Sequence, residues 1–208
     1  MKKEDYEKVM EKMMAVVKPH VGLWDDPFHI LITTILSTRT KDEVTDRAAL
    51  KLFCKCPDPH SLAKCSVKQI SSLIEGVGFY REKARNVKET ARIIVEEFKG
   101  NVPDNREDLM KLPGVGPKVA NIVLTFGFNK DYIAVDTHVH RIFNRLGIVN
   151  TKNPEETEKI LMKKIPRKYW KHINSYAVEF GKNICKPIGP KCQECPLKEW
   201  CRFYENSS

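Results

Sequence analysis

Apolar residues recur with helical spacing through nearly the whole chain, and this pattern constrains its fold more than any other feature. Residues 3–18, 42–53 and 80–98 each place their apolar side chains along one side of a helix. No segment alternates apolar and polar residues for long enough to predict a strand, since the brief YIAV at 132–135 is followed at once by a helix start. We therefore predict an all-α fold. The remaining helices are predicted at 27–37, 59–64, 67–74, 105–112, 117–127, 136–147, 154–165 and 169–184.

The chain has 208 residues and a formal net charge of +9. Such an excess favours a polyanionic partner, most often nucleic acid, although a solvated surface of Lys and Glu explains it equally well. The abundance of Lys and Glu also resembles the surface of a thermophilic protein. No apolar run is long enough to cross a membrane, and MKKEDYEK at the start lacks the apolar stretch of a signal peptide. We therefore predict a cytoplasmic protein with no membrane partner.

The stretch LPGVGPKVAN, residues 112–121, predicts a tight corner between two helices. Gly114 and Gly116 permit positive φ angles and leave the backbone bare, so that a ligand can approach closely. Pro117 suits the first helical position, where a missing N–H costs nothing. The unpaired N–H groups at such a helix start favour a phosphate. A simple glycine-rich connection between helices is the alternative.

Lys118 lies in the first turn of the predicted helix 117–127, just before an apolar run. The helix dipole and partial burial both disfavour its charged form. We therefore predict a lowered pKa and a neutral amine that acts as a nucleophile. The alternatives are a lysine that extends to solvent and one that contacts a phosphate directly.

Asp136 follows an apolar run and begins the predicted helix 136–147. As an N-cap it would be ordinary, and Thr137 can cap equally well. A carboxylate in this position is expected to stay ionised. If it faces Lys118, it can stabilise a cationic sugar transition state or assist proton transfer.

Four of the seven cysteines crowd together near the C-terminus with the spacing C-x6-C-x2-C-x5-C. Structural zinc usually takes two close pairs of ligands, and only one close pair exists here. A 4Fe–4S cluster held by four cysteines therefore fits better, with zinc as the alternative. The lysines of this loop can also present cations to phosphates. The cysteines are Cys185, Cys192, Cys195 and Cys201, and the lysines are Lys182, Lys186 and Lys191.

The other three cysteines are Cys54, Cys56 and Cys65. An odd total in a chain predicted to be cytoplasmic argues against a disulfide framework. A second metal site at CKC lacks two further ligands. We expect these three residues to be structural or incidental.

Taken together, LPGVGPKVAN, VDTHVHR and the cysteine spacing resemble the endonuclease III family of helix-hairpin-helix DNA glycosylases, from about Leu31 to Cys201. The resemblance implies two helical domains with the active site in the cleft between them. Residues 21–131 would form a six-helix barrel that contains the hairpin. Residues 1–20 and 132–208 would form the second domain, with the 4Fe–4S cluster loop.

The resemblance also implies a role for each matching residue. Lys118 falls on the Schiff-base lysine of the family and Asp136 on its catalytic carboxylate. Gly114 and Gly116 fall on the phosphate-gripping turn, and His138 on a histidine that contacts DNA or the pocket. The four C-terminal cysteines fall on the cluster ligands. The implied partner is double-stranded DNA with a damaged base or an abasic site, bound by a monomer associated with the nucleoid.

Two positions depart from the pattern of the family. LSTRTKD places Arg39 where bacterial members usually carry a glutamine that fills the gap left by the extruded base. GVGFYREKA places Phe79 where they carry a leucine wedge. Arg39 can hydrogen-bond an orphaned base or pair with phosphate, and Phe79 can stack on bases. The alternative is that Phe79 and Tyr80 belong to the core.

The resemblance predicts excision of oxidised pyrimidines followed by strand cleavage through a lysine Schiff base, an AP lyase activity. A monofunctional mismatch or adenine glycosylase of the same superfamily is the first alternative, but such enzymes lack a lysine at the position of Lys118. A non-catalytic DNA-binding module that uses the hairpin and a zinc site only for grip is the second. It predicts that Lys118→Gln leaves function intact.

Overall fold

The computed structural model describes residues 2–206, and within this range it is helical and contains no strand. The predicted all-α fold is therefore confirmed. A π-helical turn at Val123–Gly127 continues α8, and 3-10 turns lie at Arg167–Tyr169 and Lys198–Trp200. The α-helices are α1 (Lys3–Val16), α2 (Pro27–Ser37), α3 (Asp42–Lys55), α4 (Pro59–Lys64), α5 (Val67–Leu73), α6 (Tyr80–Glu97), α7 (Arg106–Leu109), α8 (Pro117–Ile122), α9 (Thr137–Leu146), α10 (Pro154–Lys164), α11 (Trp170–Asn183) and α12 (Arg202–Glu205).

Helix starts follow the local capping signals of the sequence. The Asp26 carboxylate accepts hydrogen bonds from the N–H groups of Phe28 at 2.9 Å and His29 at 3.0 Å, and Pro27 occupies the first turn of α2. Asn105 caps α7 by accepting a hydrogen bond from the N–H of Asp108. That helix is shorter than expected because residues 110–115 form successive tight turns. No described helix is long and apolar enough to span a membrane.

The chain divides into two compact units, of which Gly22–Lys130 contains α2 to α8. Helix α2 forms the centre of this unit and packs against α3, α6, α8 and the π-helical turn. Four of its apolar side chains are almost fully buried, because neighbours surround the helix on several sides. These side chains are Leu31, Ile32, Ile35 and Leu36.

The other unit combines Met1–Val21 with Asp131–Ser208. Helix α1 packs against α11, and α9 packs against α10, α11 and α12. Met10 and Met13 from the start of the chain share one core with Phe143 and Phe180. The first helix is therefore part of the same core as the C-terminal half of the chain.

The three cysteines outside the C-terminal group do not share one role. Cys56 and Cys65 form a disulfide, whereas Cys54 is exposed and has a free thiol. Cys56 follows the end of α3 and Cys65 the end of α4. The odd cysteine count argues against a disulfide framework but does not exclude this single pair, which forms because the short α4 returns the chain to the end of α3.

Candidate functional site

The hairpin connects α7 to α8 and uses its two glycines differently. Gly114 has a φ angle of +79°, and a Cβ there would lie 3.2 Å from Cγ2 of Ile35. This position therefore favours glycine both for its backbone angle and for the close approach of α2. Gly116 has a φ angle of −99°, so it does not use the positive angles that glycine permits. Apart from Gly116 and its neighbours along the chain, no described heavy atom lies within 4 Å of a Cβ placed at Gly116, which leaves space beside the backbone.

The start of α8 has no side-chain cap. Gly116 occupies the N-cap position, and Pro117 follows in the first turn as predicted. Because the first N–H groups of a helix have no partner inside it, they are available to a ligand when no side chain caps them. The arrangement suits an anion, which also gains from the positive end of the helix dipole.

Lys118 lies in this first turn and is half-buried. Val119 and Ala120, which follow it, are 3% and 0% exposed. No described residue of the Gly22–Lys130 unit forms a hydrogen bond or an ion pair with the Lys118 ammonium. The helix start therefore carries a cation that no carboxylate of the same unit neutralises.

The helix after Lys118 changes to π-helical geometry at Val123–Gly127, which the sequence analysis missed. A Cβ at Gly127 would lie 3.1 Å from Cα of Pro27, so the π-helical turn runs directly against the start of α2. Phe126 within it is 52% exposed. Single π-helical turns are frequent at functional sites. In the sequence, Gly127 is compatible with this close approach to α2, but a single glycine does not predict a π-helix.

Asp136 caps α9 in the other unit. Its Oδ1 accepts hydrogen bonds from the N–H groups of His138 and Val139, both at 2.9 Å. No described residue of the same unit donates a hydrogen bond to its Oδ2. The N-cap bonds hold the carboxylate in one orientation, which leaves one oxygen for another role.

His138 is packed between α9 and α11. Its Nδ1 lies 3.2 Å from Nη2 of Arg141, and a Cβ at Gly181 would lie 2.3 Å from the same Nδ1. Arg141 Nη2 also donates to the carbonyl oxygen of Cys185 at 2.9 Å. The helix that Asp136 caps is therefore tied to the first cysteine of the C-terminal group.

The four C-terminal cysteines line one cavity, which is partly open to solvent. Arg145 also lines it and donates to Sγ of Cys185 at 3.4 Å and to the carbonyl oxygen of Lys186 at 2.7 Å. Within residues 2–206, no three His, Cys, Asp or Glu side chains are grouped closely enough to hold one metal ion. A single zinc needs its sulfurs about 2.3 Å from one point. In a 4Fe–4S cluster each cysteine binds a different iron, so the four sulfurs lie farther apart than they do around a single zinc.

Burial raises the pKa of the Cys195 thiol to about 11 and also raises the pKa of Cys201. Backbone N–H groups act in the opposite direction, from Leu197 towards Cys195 and from Phe203 and Tyr204 towards Cys201. Buried thiols with such donors need a bound cation to become thiolates at neutral pH. The donor set therefore fits an iron–sulfur cluster.

Arg39 and Phe79 lie side by side in the Gly22–Lys130 unit, 40 residues apart in sequence. Both adopt left-handed backbone angles, with φ of 53° and 58°. The Arg39 guanidinium lies 5.6 Å from the centre of the Phe79 ring. Phe79 is 60% exposed, so the alternative that it belongs to the core is wrong. Tyr80, which is half-buried, begins α6.

Lys182 and Lys191 are both exposed in the unit that contains the cysteine cavity. Lys182 forms an ion pair of 2.8 Å with Glu179, which reduces the charge it presents. The backbone N–H of Lys191 donates to the carbonyl oxygen of Ile184 at 3.0 Å, and Lys191 lines the cysteine cavity. Of the two, Lys191 is therefore the better placed to present a cation beside this loop.

The model of the HhH-GPD superfamily of base excision DNA repair proteins matches residues 32–167. Endonuclease III of Thermotoga maritima is 54% identical over 179 residues, which cover 86% of this chain and 84% of that protein. The chain therefore belongs to the endonuclease III family of this superfamily. It is accordingly an enzyme of base excision repair, a DNA glycosylase.

Two solved structures are also similar to this chain. One is a trapped covalent intermediate of endonuclease III with DNA, at a TM-score of 0.91 and 34% identity, covering 100% of this chain and 99% of that one. The other is a thermostable thymine-DNA glycosylase, at a TM-score of 0.85 and 26% identity, covering 98% of each chain. The sequence identity of this chain is therefore higher to the endonuclease III of the covalent DNA intermediate than to the thymine-DNA glycosylase.

Proposed function

We propose that this enzyme acts as a monomer on double-stranded DNA, removes oxidised pyrimidines and then cleaves the strand at the abasic site, with Lys118 as the nucleophile. The observation that carries the proposal is the position of Lys118, half-buried at an uncapped helix start directly after the hairpin. The similar endonuclease III structure with a covalent DNA intermediate supports it. The monofunctional alternative requires that no amine reacts at this position.

The covalent steps need only an amine and water. Nζ of Lys118 attacks C1′ of the damaged nucleotide, the glycosidic bond breaks, and the base leaves with the bonding electrons and takes up a proton. The C1′–O4′ bond then opens, O4′ takes up a proton, and the amine and C1′ form an iminium, the Schiff base. Loss of a proton from C2′ expels the 3′ phosphate by β-elimination. Water finally hydrolyses the imine and releases Lys118.

Asp136 would stabilise the positive charge that develops on the sugar and assist proton transfer. Its N-cap bonds to His138 and Val139 fix the carboxylate before substrate binds, so little reorganisation is needed in the transition state. His138 would contribute mainly through this turn of α9, since its ring is packed against Arg141 and Gly181.

DNA would be held largely through its phosphates, without reading of sequence. The N–H groups of Gly116 and Lys118, in the turn that Gly114 shapes, would grip one phosphate, and Lys182 and Lys191 would add positive charge beside the cysteine loop. Arg39 would fill the gap left by the extruded base, and Phe79 would wedge the duplex open. Weakened pairing at a lesion lowers the cost of extrusion.

We further propose that Cys185, Cys192, Cys195 and Cys201 hold a 4Fe–4S cluster. The shared cavity and the N–H groups directed at two of the sulfurs support this assignment. The group would be structural, because base release and β-elimination transfer no electrons. Arg145 and Arg141 would then link the cluster loop to the helix that Asp136 caps.

Replacement of one cluster ligand is expected to remove the cofactor. Protein purified under anaerobic conditions should show broad visible charge-transfer absorbance and equal amounts of iron and acid-labile sulfide. Cys192→Ser should lose most of both and melt at a lower temperature, since metal binding is coupled to folding. Cys54→Ser, which changes an exposed free thiol, is the matched control and should keep both. Stoichiometric zinc without colour in the wild type would support the DNA-binding alternative.

The function itself is tested by borohydride trapping with a duplex that carries an oxidised pyrimidine. Borohydride reduces a Schiff base to a stable amine, so a covalent protein–DNA adduct is expected with this duplex and not with an undamaged one. Free base without an adduct would instead indicate a monofunctional glycosylase. Tight binding with neither product would indicate the non-catalytic module.

A further inference from the structure

Lys83 is a buried cation for which the proposed chemistry has no use. It lies on α6 and is only 5% exposed. Its Nζ donates to the carbonyl oxygen of Leu36 at 2.8 Å, to that of Thr38, and to Oγ1 of Thr40 at 3.2 Å. Burial lowers the pKa of Lys83 to about 8. Three oxygen acceptors therefore match the three N–H donors of the protonated amine.

These acceptors belong to the end of α2 and the turn that follows it. The last carbonyl groups of a helix lack partners within it, and a cation is favoured there. Lys83 thus closes the end of α2 from a neighbouring helix. Arg39 lies between two of the residues that Lys83 binds, Thr38 and Thr40.

The turn that carries Phe79 is joined to the same acceptors. Oγ1 of Thr40 also accepts a hydrogen bond from the N–H of Gly78 at 3.1 Å. A Cβ at Gly78 would lie 2.6 Å from the carbonyl oxygen of Arg39, so the two backbones touch at this point. The Lys83–Thr40 pair and the absence of a side chain at Gly78 together hold the two turns against each other.

Both residues at the tips of these turns are in an uncommon conformation. Arg39 and Phe79 have φ angles of 53° and 58°, which non-glycine residues adopt only when their surroundings hold them there. The guanidinium and the ring nonetheless lie together, 5.6 Å apart. The contacts of Lys83 and Gly78 supply the restraint that keeps both backbones in place.

We propose that Lys83 is a positioning residue for base extrusion. Its hydrogen bonds hold Arg39 and Phe79 as a single rigid element, so that both side chains enter the duplex together. This inference rests on the proposed roles of Arg39 and Phe79 in DNA binding. It predicts that loss of the Lys83 hydrogen bonds uncouples the two side chains, although Lys83 itself touches no DNA.

The chain offers a matched control for Lys83 on the same helix. Lys88 is half-buried, and its Nζ donates to the carbonyl oxygens of Ala63 at 2.8 Å and Cys65 at 2.6 Å. It therefore also fastens a turn to α6, but that turn carries neither Arg39 nor Phe79. Lys88→Met removes a comparable set of hydrogen bonds without disturbing the proposed element.

The experiment uses full-length protein and a duplex with an uncleavable abasic-site analogue opposite 2-aminopurine, whose fluorescence rises when it loses stacking. The rise at saturating protein reports the state of the bound DNA and does not depend on how much protein is folded. Lys83→Met should lose most of the rise and bind roughly tenfold more weakly, the scale of one lost base–aromatic stack. Lys88→Met should match the wild type in both quantities. Lys83→Arg, which keeps the donors, should restore part of the rise.

A second variant keeps the inference testable if Lys83→Met does not fold. Gly78→Ala forces the two backbones apart and should also reduce the rise, whereas Gly22→Ala, with no atom within 4 Å of its Cβ, should not. Phe79→Ala distinguishes a failure of the proposed role of Phe79 from a failure of the positioning role of Lys83. If it keeps the full rise, the proposed role of Phe79 is wrong. If it abolishes the rise while Lys83→Met and Gly78→Ala keep it, only the positioning role of Lys83 is overturned.

Discussion

Lys118→Gln is expected to abolish the borohydride-trapped adduct on damaged duplex and to slow strand cleavage at an abasic site by at least about 10³-fold. Glutamine has a similar length, but its amide nitrogen is not a nucleophile and cannot form a Schiff base. The substitution breaks no hydrogen bond or ion pair that a described residue of the Gly22–Lys130 unit makes with this side chain. The fold should therefore persist, and a melting curve close to that of the wild type checks this.

Lys111→Gln is the matched control, because Lys111 lies beside the same hairpin. It is exposed and pairs with Asp108 at 2.7 Å. Loss of this exposed ion pair should change stability little, and trapping should remain at the wild-type level. An adduct that survives in Lys118→Gln would place the nucleophile elsewhere. Base release that survives without strand cleavage would show that water can replace the amine in the first step.

Asp136→Asn is expected to lower the single-turnover rate of base release by about 10²–10⁴-fold, the usual contribution of a positioned acid–base group. Asparagine caps a helix about as well as aspartate, so the hydrogen bonds from His138 and Val139 should persist. We expect the free energy of unfolding to change by less than about 0.5 kcal/mol. The variant therefore removes the charge while it keeps the cap.

Two further variants separate the charge of Asp136 from its structural role. Asp136→Ala should lower the single-turnover rate of base release and should also lower the free energy of unfolding by about 1 kcal/mol, since the cap is lost. Asp58→Asn changes the N-cap of α4, whose carboxylate accepts from the N–H of Ser61 at 2.9 Å, and should leave the rate unchanged. Equal rates in Asp136→Asn and the wild type would leave Asp136 with only its capping role.

Helix positions were predictable because their signals are local. Asp26 with Pro27, and Asn105, mark helix starts through side-chain bonds to N–H groups two or three residues away. The same holds for the capping role of Asp136, which follows from its place before α9. The short α12 was missed because its four residues, Arg202–Glu205, are too few for a helical period to show.

Features that depend on distant contacts were not predictable in this way. Cys56 and Cys65 pair because α4 turns the chain back, and only Gly114 of the two hairpin glycines needs its positive angle. Nothing near Lys83 in sequence indicates that its amine binds residues 43 to 47 positions away. The exposure of Phe79 also depended on the fold, since an aromatic residue at a helix start is compatible with core and surface alike.

The sequence by itself determined the all-α fold, the hairpin, the cysteine spacing and the family, because each is carried by residues that lie close together along the chain. The tertiary structure decided which side chains are held in place and which lysine holds them through hydrogen bonds. Lys118 stays without a carboxylate in its own unit, whereas Lys83 is enclosed by three oxygen atoms. Two lysines of identical chemistry thus differ because hydrogen bonds and burial depend on what the folded chain places around each amine.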